Sequence, residues 1–290
     1  MNHKRLLTMV HLVLVLQLMT IVGLGQRFNS RLEAAEYRAQ GIRQYELAQY
    51  ELAIDSFKRA IVISSDYPEA YNDLGSALSA LGRGNEAIEH FKEAIRLKPD
   101  FSAAHCNLGS EYYHLGEVEL AIASLKEAVK LQPGYALAFN NLGAAYSDAG
   151  KTSESIVAYE RALELRPGWA EAHRNLALVS AQAGDYGRVF KHLEKAITLR
   201  PDYVEAYNNL GVAHSYKRNY RKSAEAFQQA LRIDPRHADA VYNLGVLQLA
   251  LKQRGEALAQ YNRLKSLNPV LANLLYKGLY RGMVLDLRNR

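Results

Sequence analysis

The sequence predicts an all-α fold in which seven helix-turn-helix units stack into a solenoid and a C-terminal helix covers the last unit. Three residue types predict it, because each recurs at a fixed interval of 34 residues. Glycine is replaced once, by Ala177, in the series Gly41, Gly75, Gly109, Gly143, Ala177, Gly211 and Gly245. Alanine recurs at Ala60, Ala94, Ala128, Ala162, Ala196 and Ala230. Proline recurs at Pro99, Pro133, Pro167, Pro201, Pro235 and Pro269. Such a period indicates a repeat architecture.

Each unit contains the pattern of two amphipathic helices. In residues 136–169, Leu142 and Tyr146 recur at helical spacing in the first half, as do Tyr159 and Leu163 in the second. The small residue at the glycine position lets the two helices approach closely. Glycine also stands in four of the turns between the helices, where it accepts the left-handed conformation that ends a helix, at Gly82, Gly116, Gly150 and Gly184. Proline ends the second helix, since it cannot continue the hydrogen-bond ladder.

One helix pair is too small to bury both of its faces, so stacking on neighbouring pairs must supply the core. The predicted units are 34–67, 68–101, 102–135, 136–169, 170–203, 204–237 and 238–271. Before them, residues 26–33 are predicted to form a linker and a helix cap, in which Ser30 and Glu33 make a capping box. After them, residues 272–290 are predicted to form a capping helix and a basic tail.

Residues 1–25 are predicted to be an export segment. Lys4 and Arg5 precede about twenty residues without a formal charge, a length that fits one membrane span. The stretch from Gly23 to Gly25 also fits a signal-peptidase site. A membrane anchor and a cleaved signal peptide are both consistent with this pattern, and an apolar helix packed on the solenoid is a third interpretation. Because the basic residues precede the apolar run, both main interpretations place the remainder outside the cytoplasm, either anchored or periplasmic.

The period of 34, with this order of small, aromatic and proline positions, resembles the tetratricopeptide repeat. The segment AAHCNLGSEYYHLG is similar to the repeats of the O-linked N-acetylglucosamine transferase superhelix. This resemblance implies a right-handed superhelix whose concave groove, lined by the first helix of each repeat, binds a peptide segment of a protein partner. At one groove position stand Asp73, Asn107, Asn141, Asn175, Asn209 and Asn243.

The asparagine ladder at this position suits an extended peptide, because a carboxamide offers both a donor and an acceptor. Alternatively, the asparagines satisfy local polar groups. Other groove candidates favour peptide binding through aromatic and arginine anchors, namely Arg38, Arg174, Tyr113, Tyr216 and Tyr242. Acidic residues are interspersed with them at Glu69, Glu171, Glu205 and Asp239. The carboxylate clamp of chaperone-binding members is not expected, because Ile42 and Asp73 stand where it needs basic and amide groups.

No arrangement in the sequence predicts catalysis, a cofactor or a metal site. The chain has a single cysteine, Cys106, on the groove face, where a partly buried structural residue is favoured over a reactive thiol. His105 and His173 occupy a large-residue position of the first helix, where packing is the better explanation. The acidic groove residues argue against nucleic acid, since phosphate binding needs a clustered basic surface.

The sequence therefore predicts a non-enzymatic scaffold for protein interaction, exported or membrane-tethered, with a role in assembly of envelope complexes. Two alternatives remain open. The chain could be the substrate-selecting arm of a glycosyltransferase or another enzyme whose catalytic chain is separate. It could also be a homo-oligomeric structural element in which the terminal helix packs on another copy.

Overall fold

The computed structural model describes the backbone of residues 29–286 and the side chains of residues 29–279. The export segment predicted for residues 1–25 lies outside the described residues. Within 29–286 all regular secondary structure is helical. No helix in this range combines the length and the apolar character needed to cross a membrane.

Seven helix pairs follow one another and a final helix covers the last pair, so the predicted all-α repeat fold is confirmed. The first helix, α1, spans residues 29–46. The remaining helices are α2 Tyr50–Ile63, α3 Pro68–Ala80, α4 Gly84–Leu97, α5 Ser102–His114, α6 Val118–Leu131, α7 Ala136–Asp148, α8 Thr152–Leu165, α9 Ala170–Gln182, α10 Tyr186–Leu199, α11 Val204–Tyr216, α12 Tyr220–Ile233, α13 Ala238–Ala250, α14 Arg254–Leu267 and α15 Pro269–Asp286. The first helix of each repeat has an odd number, and the second has an even number.

The two helices of a repeat meet where the glycine series faces a large side chain of the second helix. A Cβ atom placed on Gly211 would lie 2.5 Å from a ring carbon of Phe227, and one on Gly75 would lie 2.6 Å from the ring of Phe91. Such distances are well inside van der Waals contact. The periodic glycine is therefore a consequence of close helix packing, as the sequence predicts.

Every turn between the two helices has one residue with positive φ, at the same position in each repeat. Four of these residues are the predicted glycines, with φ between 70° at Gly150 and 80° at Gly116. In the other three turns a residue with a side chain adopts this conformation, namely Ala48, Arg218 and Lys252. The turn geometry is thus constant even where its preferred residue is missing.

The chain divides into two compact units, Met1–Asn141 and Leu142–Arg290. In the first unit, Phe57, Leu74 and Phe91 belong to one buried cluster. In the second unit, Phe227, Leu244 and Leu275 belong to a cluster that joins the last two repeats to α15. The apolar stripe of α15 therefore packs on the last repeat, as its sequence predicts.

The structure differs from the sequence-based expectation at both ends of the repeat array. Ser30 lies inside α1, which is already helical at residue 29, so it does not cap the helix. The residues that follow it, Leu32 to Ala35, are strong helix formers and favour continuous helix. At the other end, α15 begins at Pro269 because Asn268 Oδ1 accepts the backbone N–H groups of Val270 and Leu271. This asparagine cap was not predicted from the sequence.

Candidate functional site

The candidate site is the face that the first helices present at the asparagine position. We call this position the ladder register, and it comprises Asp73, Asn107, Asn141, Asn175, Asn209 and Asn243. The residue before it in each repeat forms the preceding register, which comprises Arg38, Asn72, Cys106, Asn140, Arg174, Asn208 and Tyr242. Within the two units, first helices of successive repeats pack directly on each other at three junctions, α3 on α5, α9 on α11, and α11 on α13. A ladder residue can therefore reach the preceding register of the repeat before it, 35 residues earlier.

In the first unit, two ladder residues make this contact. Arg38 Nε donates to Asp73 Oδ2 at 2.6 Å, which forms a partly buried salt bridge. Asn107 Nδ2 donates to Asn72 Oδ1 at 2.9 Å. Burial raises the pKa of Asp73, and the charge of Arg38 opposes that rise. Arg38, which the sequence predicts to contact a ligand, is therefore bound to a neighbouring carboxylate.

In the second unit, one junction repeats this contact and another lacks it. Asn243 Nδ2 donates to Asn208 Oδ1 at 3.0 Å. Asn209 Nδ2 is buried and finds no acceptor, and the same is true of Arg174 Nε. Arginine stands at the preceding register here, and its guanidinium has donors but no acceptor. Two donor groups at one junction thus lack a partner among the described residues.

The other two ladder asparagines bond to the residue before them in their own helix. Asn141 Oδ1 accepts from Asn140 Nδ2 at 3.3 Å, and Asn175 Oδ1 accepts from Arg174 Nη1 at 3.2 Å. All five ladder asparagines are partly buried. Some of the ladder amides are therefore used between repeats, whereas peptide contact by the ladder stays a prediction.

The three tyrosines predicted for the groove lie in different surroundings. Tyr216 is 71% exposed and stacks on Tyr186, with ring centroids 4.7 Å apart. Tyr113 is partly buried, with its ring 6.3 Å from that of His114. Tyr242 is partly buried against the core cluster of the last two repeats. Contact of these tyrosines with a peptide stays a prediction.

A pocket of about 410 Å³ lies beside the junction that lacks an acceptor. Its lining consists of Arg174, Arg200, Asp202, Tyr203 and Glu205. The Arg200 guanidinium lies 3.5 Å from the centroid of Tyr203, and its Nη1 donates to Glu171 at 2.8 Å. Arg200 therefore forms an ion pair, whereas Arg174 forms none among the described residues.

A matching pocket of about 320 Å³ lies four repeats earlier in the chain. Ser64, Asp66, Tyr67 and Glu69 line it at the registers that Arg200, Asp202, Tyr203 and Glu205 occupy in the larger pocket. Arg38, the counterpart of Arg174, is absent from this lining because it bonds to Asp73. The two pockets differ further because Ser64 stands at the register of Arg200, and because Arg31 lines only the smaller pocket.

The single cysteine is a buried structural residue. Cys106 is 1% exposed, and burial raises the pKa of its thiol to about 11 although Tyr135 partly opposes this. The reactive species is the thiolate, which is scarce at neutral pH under these conditions. Cys106 therefore lacks the properties of a nucleophile.

The sequence analysis missed a histidine pair in the fifth repeat. The Nδ1 atoms of His173 and His192 lie 2.8 Å apart, and His173 Nε2 lies 3.0 Å from the carbonyl oxygen of Pro167. A carbonyl oxygen only accepts, so His173 carries its proton on Nε2 and His192 donates from Nδ1. The two histidines occupy facing positions of α9 and α10, and this placement is the feature of the sequence that could have predicted the pair. In residues 29–279, no cluster of three or more His, Cys, Asp or Glu side chains is suited to holding a metal ion.

Comparison with protein families gives matches through most of the repeat array. Profiles described as tetratricopeptide repeat match residues 68–101, 136–168, 170–236 and 208–271, and one described as TPR repeat matches residues 43–82 and 109–150. No curated protein sequence matches the chain.

Three solved structures illustrate the fold that the chain shares. A tetratricopeptide repeat protein from Parabacteroides merdae is 16% identical, with a TM-score of 0.66, and the match covers 86% of this chain and 99% of that one. MamA from Desulfovibrio magneticus RS-1 is 24% identical, with a TM-score of 0.53 and coverage of 59% and 97%. YrrB, described as a TPR protein with an unusual peptide-binding site, is 22% identical, with a TM-score of 0.55 and coverage of 64% and 96%.

Proposed function

The chain belongs to the tetratricopeptide repeat family, whose members serve as protein-interaction scaffolds, and on that premise we propose that it binds a peptide segment of a partner along its first-helix face. In this proposal the chain has no catalytic role of its own. The fold of YrrB, with the peptide-binding site described for that protein, is compatible with it.

The observation that carries the proposal is the pair of donors at the junction of the fifth and sixth repeats. Asn209 Nδ2 and Arg174 Nε are both buried without an acceptor. A buried donor left unpaired costs about 1–3 kcal/mol, and few such groups occur in folded proteins. An extended peptide presents a carbonyl acceptor at each residue, so a bound segment would remove this cost. The ladder amides nearby offer further donors and acceptors to the same segment.

The triple variant Asn141→Ala, Asn175→Ala and Asn209→Ala tests this proposal. A partner segment is first identified by cross-linking in the native host, and its affinity for the full-length chain is then measured by calorimetry. We expect the variant to lose about 0.5–1.5 kcal/mol of binding free energy for each hydrogen bond removed. The matched control replaces Gln228 and Asn262, which are exposed amides on second helices, by alanine. Unchanged affinity in the triple variant would retire the ladder as a ligand site.

We propose in addition that residues 1–25 export or tether the chain, so that its partner belongs to an extracytoplasmic complex. The apolar run behind Lys4 and Arg5 supports this proposal. Fractionation of the native host, with N-terminal sequencing of the recovered protein, tests it. A membrane-bound product that retains residues 1–25 supports an anchor, whereas a soluble extracytoplasmic product beginning near Gln26 supports a cleaved signal. Recovery in the cytoplasm alone would refute both.

A further inference from the structure

The turns that join the two helices of a repeat differ in charge along the array. In the six residues that follow the first helix, repeats one to five have a net charge between 0 and −2, the lowest value coming from Glu117 and Glu119. In the sixth repeat the same window, residues 217–222, contains four cations and no acidic residue. In the seventh repeat, residues 251–256 have a net charge of +1. Positive charge is therefore concentrated at the turns of the last two repeats.

The cations at these two turns are exposed. We call them the basic edge, which comprises Lys217, Arg218, Arg221, Lys222 and Lys252. Arg221 lies 3.7 Å from Glu225 on the same helix, in a pair whose side chains are 87% and 61% exposed. The other four cations form no salt bridge with any residue that the structure describes. Most of the charge of the basic edge is therefore available to a partner.

Two of these cations occupy backbone positions that disfavour a side chain. Arg218 has φ of 58° and Lys252 has φ of 61°, where the turns of repeats two to five have glycine. A residue with a Cβ atom is strained in this left-handed conformation, and such strain is often found at functional positions. Among the described residues, the third side chain in this conformation is the uncharged Ala48 of the first repeat. The basic edge thus contains two charged side chains where glycine would relieve strain.

Exposed aromatic and apolar side chains flank the cations. Tyr216, which is 71% exposed, stacks on Tyr186 of the fifth repeat, and Lys217 Nζ lies 5.0 Å from the centroid of the Tyr186 ring. Beside Lys252, Leu251 is also exposed. At a membrane surface, tyrosine rings lie at the level of the head groups, and lysine keeps its charge in water while its stem covers apolar surface. The basic edge therefore combines the side chains that suit such a surface.

The exposure of these cations favours a lipid surface over a single acidic segment. All five lie at turns and helix ends, and none is buried, so one peptide would leave most of them hydrated. Contacts between exposed charges are individually weak, because water and salt screen them. An anionic bilayer presents many phosphate groups at once, and each lysine or arginine near it strengthens binding by about fivefold. Several weak contacts then add up to stable docking.

We propose that the basic edge docks the second unit on an anionic lipid surface. Lipid phosphates accept hydrogen bonds from its lysines and arginines, and Tyr216 contacts the head groups rather than a peptide. The docking uses the turns at the ends of the helices, whereas the proposed peptide contact uses the first-helix face. It therefore adds a lipid partner to the proposed function, and it depends neither on that function nor on export by residues 1–25.

Vesicles of phosphatidylcholine, with or without an equal share of phosphatidylglycerol, are the probe for the full-length chain. Pure phosphatidylcholine measures any binding through residues 1–25, which are the same in every variant. The readout is the gain in affinity that phosphatidylglycerol brings. Because two cations are lost, this gain should fall at least about tenfold in the double variant Arg218→Gly and Lys252→Gly.

The same double variant should unfold at a higher temperature than the parent, because glycine relieves the strain of two turns. Weaker binding by a more stable chain would not be explained by damage to the fold. Ala48→Gly is the matched control, since it relieves the same strain in the first repeat without removing a charge. It should leave the affinity for both kinds of vesicle unchanged.

A second pair of variants separates the position of the charge from its amount. Lys217→Gln with Lys222→Gln removes two cations of the basic edge and should weaken binding to the mixed vesicles. Lys58→Gln with Lys126→Gln removes two exposed cations from second helices of the first unit and should not. Equal losses in the two variants would mean that only the net charge of the chain attracts the lipid, which would overturn the proposal.

Amide hydrogen exchange locates the contact even if residues 1–25 hold the chain on every vesicle. Relative to pure phosphatidylcholine, the mixed vesicles should slow exchange in residues 217–222 and 251–256, and leave the acidic turn at residues 115–120 as it was. Exchange in the first two turns that is the same with both kinds of vesicle would overturn the proposal. So would protection of these turns by a soluble polyglutamate peptide but not by vesicles, which would assign the basic edge to an acidic protein segment.

Discussion

Asn107 donates its side-chain amide to Asn72 Oδ1 at 2.9 Å, and through this bond the third repeat is joined to the second. The pair Asn243 and Asn208 joins the seventh repeat to the sixth in the same way, at 3.0 Å. The ladder asparagine therefore joins successive repeats at two of the three junctions where an amide precedes it by 35 residues, whereas Asn175 bonds to Arg174 and Asn140 Oδ1 is buried without a donor among the described residues. Where arginine or cysteine stands 35 residues before the ladder asparagine, no bond forms between the two side chains. The asparagine amide is then free to bind a different group.

Asn107→Ala should lower the stability of the first unit. The change leaves the Oδ1 atom of Asn72, a side chain only 8% exposed, without its donor, at a cost of about 1–2 kcal/mol. The midpoint of urea unfolding measures the effect. Asn262→Ala, at an exposed position, is the control. A midpoint equal to that of the parent would show that the amide pair contributes nothing to the repeat junction.

Arg218→Gly should raise stability. Arg218 has φ of 58° in the turn where four other repeats have glycine, and this left-handed conformation costs a residue with a Cβ atom roughly 1–2 kcal/mol. Glycine adopts it without that cost, although the unfolded chain gains some entropy. Thermal unfolding should show a higher Tm for Arg218→Gly and a lower Tm for the reverse change, Gly184→Ala. A lower Tm for Arg218→Gly would mean that contacts of the arginine side chain outweigh its backbone strain.

Gly211→Ala should destabilise the parent more than a Phe227→Leu background. In the parent, the new Cβ atom would lie 2.5 Å from the Phe227 ring, and overpacking of this kind costs about 1–3 kcal/mol. Phe227→Leu should lessen the clash, since the fifth repeat combines Ala177 with Leu193 at these two registers, although a Cβ atom on Gly109 would still lie 2.6 Å from Leu125 Cγ in the third repeat. In that background the alanine should cost less stability than in the parent, because a flexible leucine can move and because alanine exceeds glycine in helix propensity by about 1 kcal/mol. A double-mutant cycle of unfolding free energies measures the coupling, and additive effects would contradict this packing.

These packing features could be read from the sequence because each depends on one register repeated many times. A glycine series and an aromatic series of equal period predict where two helices touch, and the contact of Gly75 with Phe91 follows. The junction of Arg174 with Asn209 depends instead on a combination of two residues from successive repeats. Comparing Arg38 and Arg174 at one register would have revealed it. The cap at Asn268 was missed because proline was taken as a boundary rather than as the first residue of α15.

The pair of His173 and His192 should make the second unit sensitive to mild acid. Burial is the main cause that lowers the pKa of His192 to about 4 from 6.5, and the neighbouring His173 adds to it. Burial lowers the pKa of His173 as well. The folded chain therefore binds these protons more weakly than the unfolded chain, so the free energy of unfolding falls as the pH drops from about 6.5 towards 4. The loss should be on the order of 1–2 kcal/mol for His192, since its ring is partly exposed.

His192→Asn isolates the contribution of this ring. The asparagine amide can donate to His173 Nδ1 in place of the imidazole N–H, yet it does not titrate in this range. Urea unfolding at intervals between pH 4 and 7 should show a shallower dependence on pH in the variant than in the parent. His114→Asn, at an exposed position of the first unit, is the matched control for the exchange itself. Carboxylates also titrate in this pH range, but they are the same in all three chains and therefore cancel in the comparison. If the free energy of unfolding depends on pH equally steeply in the parent and in His192→Asn, the histidine pair does not bind protons as described.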